Sequence, residues 1–162
     1  MKRKQKTNGL TLIEILVAIA IVAILSAGLY VVGGRVETQA KIKQTESTIK
    51  MLEAALEQYH DFYGKFPDPA ITSDYPTVCT LSIEKLYYKL STAPDAKKIL
   101  NQINSSFIKD ADKNGFPEVV DAWGTAFKYE YTPGNNFPVI TSAGPDKKFD
   151  PSGVHIDDIT SR

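Results

Sequence analysis

Between Gly9 and Val32 the chain reads GLTLIEILVAIAIVAILSAGLYVV, an apolar run long enough to cross a bilayer as one helix. The only ionisable side chains from Leu12 to Val32 are Glu14 and Tyr30, so the segment reads as a membrane helix and the rest of the chain folds outside it. Glu14, near the amino end, is the exception that needs explaining. A charge inside such a helix costs roughly 2.5 to 3.5 kcal/mol on insertion scales, and the carboxylate therefore calls for a partner.

Two simpler readings compete with a functional one: a secretory signal, or an anchor whose Glu14 snorkels to the headgroups. The run exceeds the usual signal core, and no Ala-x-Ala-like cleavage site precedes a mature domain. Ahead of the run, MKRKQKTNG carries the cations Lys2, Arg3, Lys4 and Lys6 and no acid, which places it in the cytoplasm and the bulk of the chain outside.

Helical patterning continues to Gly64. Apolar or small residues recur at Ile42, Thr45, Ile49, Leu52, Leu56, Tyr59 and Tyr63, while Lys41, Lys43, Glu46, Lys50, Glu53 and Glu57 take other faces. Gly33 and Gly34 sit at the junction, where they weaken the helix and permit bending. Unbroken from Leu10 to Tyr63, the helix would reach about 80 Å at roughly 1.5 Å per residue. Gly64, Pro67 and Pro69 end it. After a polar loop to about Thr80, short helices are expected over Leu81 to Leu90 and Asp95 to Ile103. Ala126 to Thr132 and Phe137 to Thr141, joined by Pro133-Gly134-Asn135-Asn136, read as a hairpin. The class is α+β.

Lys6-x-x-Gly9 followed by Leu10-Thr11-Leu12-Ile13-Glu14-Ile15-Leu16-Val17 resembles the prepilin signal of type IV pilins and type II secretion pseudopilins. The resemblance implies that a membrane-embedded aspartyl peptidase cuts after Gly9 and methylates the new amine of Leu10. Residues 1–9 are then a cleaved leader, 10–32 the transmembrane part of the long helix, 33–63 its amphipathic part and 64–162 a globular domain. The implied fold is pilin-like: the long helix packed on a small antiparallel sheet, with short helices in a variable region. Leu10 stands where the family usually has Phe, and Val31 where many members have a kinking proline. The implied partner of Glu14 is the terminal amine of Leu10 on a neighbouring subunit, since a buried charge is tolerable paired and costly alone. The amine of its own chain, four residues away, is the other option.

Tyr59-His60-Asp61-Phe62-Tyr63-Gly64-Lys65-Phe66-Pro67, Asp121-Ala122-Trp123-Gly124, Ser142-Ala143-Gly144-Pro145-Asp146 and Asp157-Asp158-Ile159 resemble, in that order, the major pseudopilin of type II secretion systems. Roughly Asp68 to Asp110 is unmatched. In that family the loop after the sheet binds calcium, and the matching carboxylates are Asp146, Asp157 and Asp158, within a longer loop that adds Asp150. Independently, Asp110, Asp112, Asn114, Glu118 and Asp121, with Gly115 at the sixth place, have the spacing of an EF-hand-like calcium loop. Against that loop stand Pro117, the shorter Asp at the twelfth place, and the absence of a following helical pattern; a plain Asp/Asn/Gly turn is the alternative.

With 162 residues and no formal net charge, the chain has room for one leader, one membrane helix and one domain. Cys79 is the only cysteine, so no intramolecular disulfide forms. His60 and His155 lie far apart, and no Gly-x-Ser-x-Gly, phosphate-binding loop or paired Cys/His spacing occurs, which argues against an enzyme. Balanced charge gives no nucleic-acid footprint. The expected role is structural: the major pseudopilin, anchored once in the inner membrane with its domain in the periplasm. It would polymerise with itself and meet the prepilin peptidase, the assembly platform and minor pseudopilins. The alternatives are a pilin of an extracellular fibre and a monomeric membrane-tethered calcium-binding domain.

Overall fold

The computed structural model describes residues 11–71, 73, 75–76, 80–110, 112–134, 137–150 and 157–161, with side chains 27–33 left out. Gly9, Leu10, Cys79 and the Asn135-Asn136 turn lie outside the described residues. The fold is α+β. Helix α1 (Leu12–Tyr63) is followed by α2 (Ser82–Thr92), α3 (Pro94–Leu100), a 3-10 turn (Ser105–Phe107) and strands β1 (Ile108–Lys109), β2 (Glu118–Val119), β3 (Lys128–Glu130), β4 (Val139–Ser142) and β5 (Ile159–Thr160). The chain divides into two compact units, Met1–Gln39 and Ala40–Arg162.

In the first unit α1 starts at a reciprocal cap. Thr11 N and Thr11 Oγ1 both donate to Glu14 Oε2 at 2.7 Å, and Glu14 N donates back to Thr11 Oγ1 at 3.4 Å. The four unpaired N–H groups of a helix start favour this Thr-x-x-Glu arrangement. Leu12, Ile13, Ile15, Leu16 and the apolar side chains to Leu25 are exposed, and Leu12 reaches 82%. Among the described residues no helix is long and apolar enough to cross a membrane. The expected span over 10–32 lies partly outside them, at Leu10 and at side chains 27–32.

In the second unit α1 buries Thr45, Thr48, Ile49, Leu52, Ala55, Leu56 and Tyr59. The expected stripe is present in its middle; Ile42 is half-buried and Tyr63 exposed, because the covering elements reach neither end. That face shares one core with Ile83, Leu86 and Leu90 of α2, Ala96 and Leu100 of α3, Val119, Tyr129 and Ile140 of the sheets, and Phe127 just before β3. Gly64 closes α1 at φ +71°, its N–H donating to the His60 carbonyl at 2.7 Å. Glycine adopts that left-handed conformation without steric cost.

Helix α3 stops at Leu100, before the expected Ile103. Asn101 caps it, and Ile103 N turns back to the Leu100 carbonyl at 3.0 Å, tightening the chain out of the helix. The strands form two antiparallel sheets, β1-β2 and β3-β4-β5. Tyr129 faces Ile140 across the expected hairpin, whose ladder is shorter than its alternating pattern: Pro138 supplies no N–H at the turn end, and at the other end Phe127 N donates to the Val119 carbonyl while Ala126 bridges to Val120. Lys109 pairs with Glu118 and Ser142 with Ile159, and neither pairing is visible in the sequence pattern.

Candidate functional site

Asp121 joins two parts of the domain through its carboxylate. It is 2% exposed. Its Oδ1 accepts from Trp123 N at 3.0 Å and Thr125 N at 2.9 Å, and its Oδ2 accepts from Ser142 Oγ at 2.7 Å. The motif Asp121-Ala122-Trp123-Gly124 thereby acquires a physical reason. A short carboxylate closes a turn onto its own backbone, and Gly124 takes φ +86° inside it. Ala122 N donates to Thr45 Oγ1 at 3.3 Å, fastening the turn to α1.

The network continues into the second motif. Ser142 Oγ accepts from Gly144 N at 3.1 Å. Gly144 has φ +64°, and a Cβ built there collides with the Asp157 carbonyl oxygen, its carbonyl carbon lying 2.9 Å away. Only glycine fits between the chain segments. Asp146 N donates to Asp157 Oδ2 at 3.1 Å, Lys148 N to Asp146 Oδ1 at 2.7 Å, and Asp150 N to Asp158 Oδ2 at 3.2 Å.

Two groups of carboxylates bring ligand atoms within 4.8 Å of one another among the described residues: Asp150, Asp157 and Asp158, and Glu84, Asp112 and Glu118. The first contains Asp157 and Asp158 as expected, with Asp150 in place of Asp146. All three are half-buried, and hard carboxylate oxygens of this kind suit calcium.

The second group takes Asp112 and Glu118 from the expected loop but adds Glu84, which sequence reasoning missed. Glu84 and Glu118 are fully buried. Glu84 Oε2 accepts from Thr80 N at 2.7 Å and Leu81 N at 3.0 Å, capping α2. A glutamate three residues into a helix is the signal that could have found it. Asn114 Nδ2 donates to Glu84 Oε1 and to Asp112 Oδ2, both at 2.8 Å. Asp110 Oδ2 accepts from Gly115 N at 3.0 Å. The structure thus brings Asp112, Asn114 and Glu118 to one place, while the Asp121 carboxylate is engaged in the separate network with Ser142.

At the amino end, Glu14 Oε2 is held by Thr11, an arrangement the motif reading did not include. Residues 4–30 match the family described as the prokaryotic N-terminal methylation motif. The match covers residues 4–9 of the expected leader, the Gly9-Leu10 junction, Glu14 and the start of α1. Comparison with curated proteins and with solved structures returns no match. The chain carries a type IV prepilin-like amino terminus, and its long amino-terminal helix with small antiparallel sheets is consistent with a type IV pilin-like fold.

Proposed function

We propose that the chain is a structural filament subunit, in its finer form the major pseudopilin of a type II secretion system. A prepilin peptidase cuts between Gly9 and Leu10 and methylates Leu10. The mature chain waits in the inner membrane with residues 10–32 embedded and the domain in the periplasm. The assembly platform and minor pseudopilins then draw it into a homopolymer that helps export folded proteins. The observation that carries this reading is the methylation-motif match at residues 4–30, joined to a helix whose apolar side chains from Leu12 to Leu25 are exposed.

The segments Asp121-Ala122-Trp123-Gly124 and Ser142-Ala143-Gly144-Pro145-Asp146 resemble those of the major pseudopilin in sequence, and that resemblance is the ground for preferring the pseudopilin to the extracellular pilin. Calcium belongs to the proposal. Asp150, Asp157 and Asp158 would hold it, and bound there it would supply positive charge that ties residues 144–150 to the strand at 159. Intact-mass measurement on protein from its native membrane tests the core of the reading. The expected product begins at Leu10 and carries one methyl group; a chain retaining Met1 to Gly9, or starting beyond Ala27, refutes it. Loss of exoprotein export on deletion, with surface fibres unchanged, separates pseudopilus from pilus.

A further inference from the structure

The loop between β1 and β2 contains Asn114-Gly115, a dipeptide in which no side chain on the second residue shields its backbone nitrogen. Attack of Gly115 N on Asn114 Cγ forms a nitrogen–carbon bond and closes a succinimide ring. The Gly115 amide proton passes to hydroxide, the Cγ–Nδ2 bond breaks, and the departing nitrogen takes a proton from water and leaves as ammonia, which returns the hydroxide. Water then opens the ring at either carbonyl to give aspartate or isoaspartate. Water is the only co-reactant.

In the fold, the groups of that reaction are held apart from it. Gly115 N, the nucleophile, donates to Asp110 Oδ2 at 3.0 Å. Asn114 Nδ2, the leaving group, donates to Glu84 Oε1 and Asp112 Oδ2, and Asn114 Oδ1 accepts from Phe116 N at 2.8 Å. Asn114 N donates to Asp112 Oδ1 at 3.1 Å. Rotating Cγ toward Gly115 N requires giving up several of these bonds, most of them to carboxylates and therefore among the stronger kind.

We propose that Asn114 is a covalent modification site, a deamidation site that Asp110, Asp112 and Glu84 keep shut while the loop is folded and whose conversion opens the loop. The second half follows from charge. Conversion replaces a donor that bridges two carboxylates with a third carboxylate, against the fully buried Glu84. Like charges packed in a buried place destabilise one another, and Glu84 also caps α2, so the disturbance reaches Thr80 and Leu81. The change is irreversible without repair, and its extent therefore records how often the loop has opened.

The test uses the full chain in detergent micelles at mildly alkaline pH, with peptide mass mapping that resolves Asn114 from every other asparagine. Conversion at Asn114 is expected to be at least about tenfold faster in urea-denatured than in native protein, since the closed loop must open first. Asp110→Ala is expected to speed native conversion by about tenfold or more, the loss of one hydrogen bond to a charged group. Asp110→Asn, which keeps an oxygen for Gly115 N, stays near wild type. Asn114→Asp is expected to raise amide hydrogen exchange at Thr80 and Leu81, whose N–H groups donate to Glu84, and leave α3 unchanged. Equal native and denatured rates, or no acceleration in Asp110→Ala, overturn the protection; so does equal acceleration at Asn101 and Asn104, which would mark general loosening. Unchanged exchange in Asn114→Asp overturns the opening.

Discussion

Asp121→Ala should be strongly destabilising while leaving the apolar core intact. The substitution removes the acceptor of Trp123 N, Thr125 N and Ser142 Oγ at a position 2% exposed, where water has little access to replace it. Hydrogen bonds to charged groups contribute about 1.5 to 3 kcal/mol each, and donors left buried without an acceptor cost about 1 to 3. The three are not additive, because the turn can relax toward solvent once Oδ1 is lost. A loss of about 3 to 5 kcal/mol is the expected sum, a large share of the roughly 5 to 15 kcal/mol that holds a domain together. Asp121→Asn keeps an oxygen for the two backbone N–H groups and should cost about 1 to 2 kcal/mol. The assay is equilibrium urea unfolding of the mature chain in mild detergent. Trp123, the only tryptophan and part of the turn itself, is the reporter. The loss must persist in chelator, since it belongs to the turn and not to a metal. An Asp121→Ala midpoint within about 0.5 kcal/mol of wild type refutes the hub; a loss that appears only with calcium present returns Asp121 to the metal loop.

Three further outcomes follow from the geometry. Glu14→Ala should insert into membranes as well as wild type, because the helix becomes more apolar, yet give shortened cross-linking ladders; equal ladders would remove Glu14 as an assembly determinant. Tyr129 is buried and donates its hydroxyl to the Pro67 carbonyl at 2.7 Å, and that burial, before its charged and phenolic neighbours, pushes its ionisation well above the ordinary value. A raised folded value means that this stability is whole below about pH 10 and is lost as pH climbs beyond it, by at most about 1.4 kcal/mol per unit; Tyr129→Phe should lose about 1 kcal/mol at neutral pH and show a shallower alkaline decline. Calcium at about a hundredfold excess over its dissociation constant should add roughly 2.7 kcal/mol, with magnesium a poor substitute. Melting curves of Asp157→Ala with Asp158→Ala should lose that shift and those of Asp112→Ala should keep it; the reverse result would move the ion to the Glu84 group, and no shift in wild type would remove it.

The helical part of the fold was legible because its signals are local and redundant. Thr45, Ile49, Leu52, Leu56 and Tyr59 repeat at the helical period over several turns, and Gly64 followed by Pro67 stops the helix by backbone chemistry alone. The strands were legible only where a hairpin announced itself. β1, β2 and β5 are two residues long, too short for any alternation, and their partners are fixed by where α2 and the Asp121 turn hold the chain.

The carboxylates divide by the same logic. Spacing grouped Asp112, Asn114 and Glu118; Asp112 and Asn114 lie in the loop between β1 and β2, and Glu118 opens β2. Spacing alone could not reveal that Glu84, distant in sequence, completes the group, because that depends on how α2 packs against β2. Nor could it separate Asp121 from the loop. Asp121 offers one oxygen to the backbone N–H groups two and four residues on, and a metal loop must compete with that local bonding. Once Ser142 donates to the second oxygen, both oxygens are engaged in joining the two motifs. Removing the serine hydroxyl, as in Ser142→Ala, therefore weakens the join between them while leaving the turn around Trp123 formed.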